Sequence, residues 1–208
     1  KLSHFLSTRF TVEKRNSTGT SSDFYDYIRF LLFYSYGNYK TLAKKMTLNN
    51  SMLLYLNNNE NAASAPNENY AREFFELFTI GKGEQIAPGN YTNYTENDIV
   101  EGAKVLTGFR RVGDRSIIDS TTGIPKGGNL FSQHNTQTKV FSAAFSNTSI
   151  PPATNSVAMD IELDTFVEMI FSKLATAKNN CRKMYIYFVK GTITSEVETD
   201  IITPLAQD

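Results

Sequence analysis

The chain has 208 residues, of which 40% are hydrophobic and 12% are aromatic. A domain of this length buries about 70% of its unfolded surface, so it can form a substantial core. The 21 Lys and Arg residues balance 21 Asp and Glu residues, which excludes the single-sign field that attracts nucleic acid or anionic membranes. A single cysteine excludes an internal disulfide.

No stretch of the sequence predicts a membrane span. The most apolar run, residues 30–34, is far shorter than the ~20 residues that a bilayer requires. We therefore expect neither a transmembrane segment nor a nucleic-acid partner, and no motif has the spacing of a cofactor site.

Helical periodicity dominates the chain and predicts a mainly α, multi-helix globular domain. The first strong helix is predicted over residues 23–36, and others follow over 38–46 and 50–56. The apolar side of the first is predicted to carry Phe24, Ile28, Leu31, Leu32 and Ser35. Residues 57–65 are predicted as a polar loop, in which the Asn-rich stretch 57–61 is not ordered by itself.

The next helix, over residues 66–81, gathers a dense polar cluster on one side. At about 100° per residue, its polar arc and its apolar arc separate cleanly. Pro66 and Asn67 suit a helix start and Gly81 suits a helix end. The polar cluster consists of Asn67, Glu68, Asn69, Arg72, Glu73 and Glu76, and the apolar arc of Tyr70, Ala71, Phe74, Phe75, Leu77 and Phe78.

A further helix begins at Thr95, where Asp98 three residues later completes a capping box, and it ends at Gly108. A small β-hairpin insertion is predicted over residues 109–141, with strands at 110–118 and 130–141. His134 lies in the second predicted strand, where we expect it half exposed on a polar face.

Helices are then predicted over residues 160–177, 179–189 and 195–205. We expect a single domain made of a helical part (1–108), a hairpin and loop (109–150) and C-terminal helices (151–208).

The polar arc of the 66–81 helix has three interpretations. Glu68 and Arg72 can form a helix ion pair worth about 0.2 to 0.5 kcal/mol. Arg72 and Glu76 can instead reach backbone groups of a neighbouring segment and hold it, as a buried charged network. In the third interpretation, Glu73 and Glu76 act as a carboxylate pair or as metal ligands.

Two long blocks carry a resemblance to a known family. Residues 66–81 read PNENYAREFFELFTIG and residues 94–109 read YTENDIVEGAKVLTGF. Both blocks, in this order and at this separation, are similar to the bacterial domain of unknown function 1800 family. The resemblance implies an exported bacterial protein of the envelope, of which this chain matches the central part, as a fragment or trimmed form of a longer protein.

The resemblance also implies a partner, by genomic association only: a sulfatase-like protein of the domain of unknown function 1501 family. The chain departs from the family pattern at two places. Residues 6–10 read LSTRF where members often carry Trp-His-Asn-His-Phe, and His134 is followed by Asn135 where members carry Asp. The first departure puts in doubt any metal site that would use those histidines, and the second removes the carboxylate that could orient an imidazole.

Three functions are therefore compatible with the sequence. The first is a noncatalytic exported protein that binds or supports, with the 66–81 helix as an internal clamp. The second is a carboxylate-based hydrolase of an extracellular polymer, with Glu73 and Glu76 as acid and base. The third is a metal site that combines His134 with Glu68, Glu73 or Glu76, since the chain has only two histidines.

Overall fold

The computed structural model describes residues 1–14 and 19–208. It is mainly helical with short pairs of β-strands, which confirms the predicted fold class. The helices are α1 (Leu2–Arg9), α2 (Ser21–Phe33), α3 (Tyr39–Met46), α4 (Asn50–Tyr55), α5 (Asn69–Glu73), α6 (Glu96–Val105), α7 (Ser156–Phe171), α8 (Leu174–Phe188), α9 (Ser195–Val197) and α10 (Thr203–Gln207).

Two π-helical turns continue the regular helices. One, Phe74–Phe78, extends α5, and the other, Glu198–Ile202, joins α9 to α10. Shorter 3₁₀ turns lie at Tyr34–Tyr36, Asn58–Glu60, Phe131–Gln133 and Ala143–Phe145. The break between helices α7 and α8 falls at Ser172 and Lys173, where Lys173 is the N-cap of α8. It was predicted at residue 178, between helices over 160–177 and 179–189.

The core is built around α5, which packs against α6, while α6 packs against α7. Phe166 of α7 lies 5.4 Å from the ring of Phe74 and 5.6 Å from that of Phe75, measured between centroids. Gly102 allows this close approach, since a Cβ there would meet Phe75 at 3.0 Å. Aromatic packing thus fixes one side of α5 and directs its polar side outward.

The β-hairpin predicted within residues 109–141 is present but much shorter. Strand β3 (Phe109–Arg110) pairs antiparallel with β4 (Gly128–Asn129). The prediction of a strand over 130–141 was wrong, because this stretch contains a 3₁₀ turn and then β5 (Lys139–Val140), which pairs with β6 (Ser149–Ile150). A third pair, β1 (Gln85–Ala87) with β2 (Asn90–Tyr91), was not predicted.

Helix α2 buries only part of the predicted face: Leu31 is buried and Phe24 packs against the core. Ile28 and Leu32 are 37% and 57% exposed, whereas Asp23 and Asp26 are almost fully buried. The two aspartates are buried because they pair with arginines that lie far along the chain. The guanidinium of Arg111 pairs with Asp23 at 2.7 Å, and that of Arg115 pairs with Asp26 at 2.7 Å. These ion pairs turn a polar stripe inward.

The prediction that residues 57–61 are not ordered by themselves missed their tertiary role. Asn58 and Asn61 are buried. The side-chain amide of Asn61 donates to the Ala103 carbonyl at 2.9 Å, and that of Asn58 donates to the Leu106 carbonyl at 3.2 Å. The segment is a connector between the chain before α5 and the end of α6.

Candidate functional site

The signature helix, which we define as α5 with its π-helical turn (residues 69–78), is shorter at both ends than the predicted 66–81. The N-cap position is Glu68, and the side-chain oxygen of Asn67, one residue earlier, accepts a hydrogen bond from the Asn69 amide at 2.9 Å. Gly81 has a φ of +72°, and its amide donates to the Phe75 carbonyl at 2.8 Å. This is the left-handed closure that favours glycine.

The π-helical turn changes which residues face the core. Tyr70, Ala71, Phe74, Phe75 and Phe78 are buried as predicted, but Leu77 is 46% exposed. A π turn closes hydrogen bonds over five residues instead of four, so positions within it rotate away from an ideal α-helical projection. Such turns occur often at functional sites.

Arg72 joins the signature helix to the N-terminus of α6. Its Nη1 donates to Glu96 Oε2 at 3.1 Å, its Nη2 also contacts Glu96 Oε1, and Nη2 donates to Glu68 Oε2 at 3.1 Å. These hydrogen bonds raise the pKa of Arg72 and hold the pKa of Glu96 below its usual value. A bidentate pair of this kind is the strongest form of an Arg–carboxylate contact.

Glu76 makes a second connection to the same segment. Its Oε1 accepts a hydrogen bond from the Tyr94 hydroxyl at 2.8 Å, and its Oε2 pairs with Lys82 at 3.0 Å. The Glu76 side chain is 14% exposed and Tyr94 is fully buried. Both carboxylate oxygens of Glu76 are therefore engaged.

Glu73 differs from its neighbours because one oxygen, Oε2, is buried without a hydrogen-bond partner. Burial raises the pKa of Glu73, and the nearby charge of Glu76 raises it further. The hydroxyl of Tyr70, one turn earlier, is likewise buried without a partner. These two groups are the part of the helix that is not satisfied internally.

Asn67 and Asn69 connect the helix start to the Asn-rich segment. The Asn67 amide donates to Asn61 Oδ1 at 2.9 Å, and the Asn69 side chain donates to the Leu56 carbonyl at 3.2 Å. Sequence reasoning missed Asn61, Lys82, Tyr94 and Glu96 as members of the cluster. The signal for Tyr94 and Glu96 was available, since both lie in the second family block.

These contacts combine features of both structural interpretations of the polar arc. The Glu68–Arg72 ion pair is present, with its side chains 41% and 34% exposed. Arg72 and Glu76 also contact a neighbouring segment, residues 94–96, but through side chains and not through its backbone as predicted. Side chains can hold the two segments together because Tyr94 and Glu96 flank Thr95, the N-cap of α6, and so project from a fixed helix start.

His134 is not a half-exposed strand residue, and that prediction was wrong. It follows a 3₁₀ turn and is 4% exposed. Its Nδ1 lies 2.8 Å from the Thr107 carbonyl and its Nε2 lies 3.3 Å from Glu162 Oε2. The signature glutamates are not among its partners, because the turn directs the imidazole between α6 and α7.

Within residues 1–14 and 19–208, no group of three or more His, Cys, Asp or Glu side chains is placed to hold a metal ion. No helix in these ranges combines the length and apolar character needed to cross a bilayer.

The two blocks that meet in this cluster are those that carry the family resemblance. A family model described as "Protein of unknown function (DUF1800)" matches residues 1–208. The chain belongs to this family. Comparisons with curated proteins and with solved structures found no match.

Proposed function

We propose that this chain is a noncatalytic exported bacterial protein that acts by binding or as a structural component, with the signature helix as an internal clamp. One observation carries the proposal: the charged side chains of Arg72 and Glu76 are engaged by the chain itself. Arg72 bridges Glu68 and Glu96, and both oxygens of Glu76 are occupied. A general base needs a free oxygen.

Placement in the envelope or outside the cell rests on the family resemblance. A sulfatase-like protein of the domain of unknown function 1501 family is the partner we propose, by the same association. Co-purification of the two proteins from their native host, after mild crosslinking, tests this partnership directly.

A polymer hydrolase is the second candidate, and Glu73 favours it. A buried carboxyl group with a raised pKa, beside an ion-paired carboxylate, is the arrangement of a general acid. The test is release of reducing ends from an extracellular polysaccharide. If the parent chain releases them and Glu73→Gln does not, the noncatalytic proposal is rejected in favour of the hydrolase. The proposal requires that parent and variant release equal, background amounts.

The clamp is tested by urea unfolding of Arg72→Ala. Removal of the guanidinium leaves Glu68 and Glu96 without their shared cation, and we expect a loss of about 1 to 2 kcal/mol in the free energy of unfolding. Lys40→Ala is the matched control, because its pair with Glu168 is exposed at 42% and 65% of the two side chains. We expect that control to lose at most about 0.5 kcal/mol.

The opposite result has a clear meaning. If Arg72→Ala is as stable as the parent or more stable, the cluster is held at a cost to folding, as functional sites often are. The clamp would then be rejected, and the signature helix would become the place to look for a ligand.

A further inference from the structure

A cavity separate from the signature helix lies between α3 and α7, against the loop of residues 119–126. Its volume is about 120 Å³. The apolar floor consists of Phe30, Leu48, Ile124 and Pro125, and the charged residues around it are Lys44, Lys45, Lys126, Asp119 and Asp160. Phe30, Leu48 and Ile124 are at most 9% exposed, so the floor belongs to the core.

The loop that forms one wall is held in place by its own hydrogen bonds. The Asp119 amide donates to the Ile124 carbonyl at 2.9 Å, and the Gly123 amide donates to the Asp119 carbonyl at 2.8 Å. The Gly127 amide, just beyond the loop, donates to the Leu48 carbonyl at 2.6 Å. The cavity is therefore formed before any ligand arrives, which lowers the cost of binding.

Most charges around the cavity neutralise one another. Lys45 Nζ pairs with Asp119 Oδ2 at 2.8 Å and donates to the Thr121 hydroxyl at 2.9 Å. Lys44 pairs with Asp164 of α7. These lysines are therefore poor anchors for an added ligand.

Lys126 and Asp160 are the charges left over. Neither forms an ion pair with any residue of the described chain, and Asp160 only accepts a long 3.4 Å hydrogen bond from Asn129. Both residues line the cavity, and they do not pair with each other. One free cation and one free anion thus flank an apolar floor.

We propose that this cavity binds a free apolar α-amino acid. The carboxylate of the ligand pairs with Lys126, its ammonium pairs with Asp160, and its side chain occupies the floor. A dry cavity of about 150 Å³ lined by apolar side chains accepts benzene, so about 120 Å³ with an open mouth suits a branched aliphatic side chain. The ligand supplies the opposite charges that Lys126 and Asp160 lack.

The test is an NMR titration of the intact chain with L-leucine, isocaproate and isoamylamine. Isocaproate is leucine without its ammonium, and isoamylamine is leucine without its carboxylate. We expect leucine to shift the amide signals of Ile124 and Leu48 and to bind about fivefold more tightly than either analogue, the factor of one solvent-accessible ion pair.

Two variants assign the charges. Asp160→Asn should weaken leucine about fivefold and leave isocaproate unchanged, whereas Lys126→Met should weaken leucine about fivefold and leave isoamylamine unchanged. Lys190→Met removes an exposed lysine outside the cavity and should change nothing. Urea midpoints of all variants are compared with the parent, so that a folding defect is not read as lost affinity.

Three results would overturn the proposal. The first is no shift of the Ile124 and Leu48 amide signals at roughly 20 mM leucine, a concentration that detects Kd values in the millimolar range. The others are leucine binding no tighter than the binding of an analogue, and leucine binding that neither variant changes. These outcomes do not bear on the clamp, which is tested by stability alone.

Discussion

Lys139 and Glu162 form an ion pair at 2.5 Å between side chains that are 0% and 1% exposed. Lys139 also donates to the Asn135 carbonyl at 2.6 Å, and Glu162 Oε2 accepts from the Ala153 amide at 2.9 Å. Burial lowers the pKa of Lys139, although the carboxylate of Glu162 opposes that shift. The pair joins β5 to α7 in the interior.

The first prediction concerns this pair. Lys139→Met leaves the Glu162 carboxylate buried without its cation, and we expect a loss of about 3 to 5 kcal/mol in the free energy of unfolding. The double variant Lys139→Met with Glu162→Gln should recover most of that loss, since it removes both charges and keeps an acceptor for the Ala153 amide. Urea unfolding of the single and double variants measures this; equal losses in both would show that packing, not charge, dominates.

The second prediction concerns Tyr94 and Glu76. Glu76→Ala deprives a buried hydroxyl of its acceptor, so we expect a loss of about 1 to 3 kcal/mol. In the Tyr94→Phe variant, Glu76→Ala should lower the free energy of unfolding by at least about 1 kcal/mol less than it does in the parent, because no hydroxyl is left without an acceptor. A double-mutant cycle in urea measures this coupling, and a coupling near zero would mean that the hydrogen bond does not contribute to the clamp.

The third prediction concerns Asn61. Asn61→Ala removes the acceptor of the Asn67 amide and the donor to the Ala103 carbonyl, and we expect a loss of about 2 to 3 kcal/mol. Ser64→Ala, an exposed change in the same loop, is the control and should stay within about 0.5 kcal/mol of the parent. Thermal unfolding of both variants distinguishes an ordered connector from a passive loop.

The fourth prediction is a pH dependence at the C-terminal end of the signature helix. Lys183 Nζ donates to the Leu77 carbonyl at 3.0 Å, and burial together with the charge of Arg9 lowers the pKa of Lys183 to about 7 from 10.5. Between these values the unfolded chain binds more protons than the folded chain, so stability from this group rises with pH.

Lys183→Met should therefore flatten the rise in the free energy of unfolding between pH 7 and about 9. Lys190→Met, at an exposed position after α8, is the control and should retain the slope of the parent. Urea unfolding across this pH range measures both slopes. An unchanged slope in Lys183→Met would show that Lys183 keeps an ordinary pKa in the folded chain.

Local signals in the sequence were sufficient for the helix ends. The hydrogen bond from the Asn69 amide to Asn67, the Gly81 closure and the capping box of Thr95 with Asp98 depend on residues within a few positions of one another. The same holds for the aromatic side of the signature helix. The first family block also indicated the helix side of the polar cluster, but not its partners Tyr94 and Glu96 in the second block.

Long-range pairing explains what the sequence did not reveal. Asp23 is buried because Arg111, 88 residues later, neutralises it. Asn61 is ordered because Ala103, 42 residues later, accepts its amide. His134 is enclosed by Thr107 and Glu162, from two different parts of the chain. Periodicity within one segment carries no information on such partners.

The position of Asn61 also limits how the protein can be divided. Its carbonyl accepts the Gly108 amide at 2.9 Å and Arg110 Nη1 at 3.0 Å, while its side chain contacts Asn67 and Ala103. A chain cut just after Asn61, within residues 62–65, would separate Asn61 from its hydrogen-bond partners in both family blocks. We expect the two fragments to regain structure only by complementation, when they are mixed.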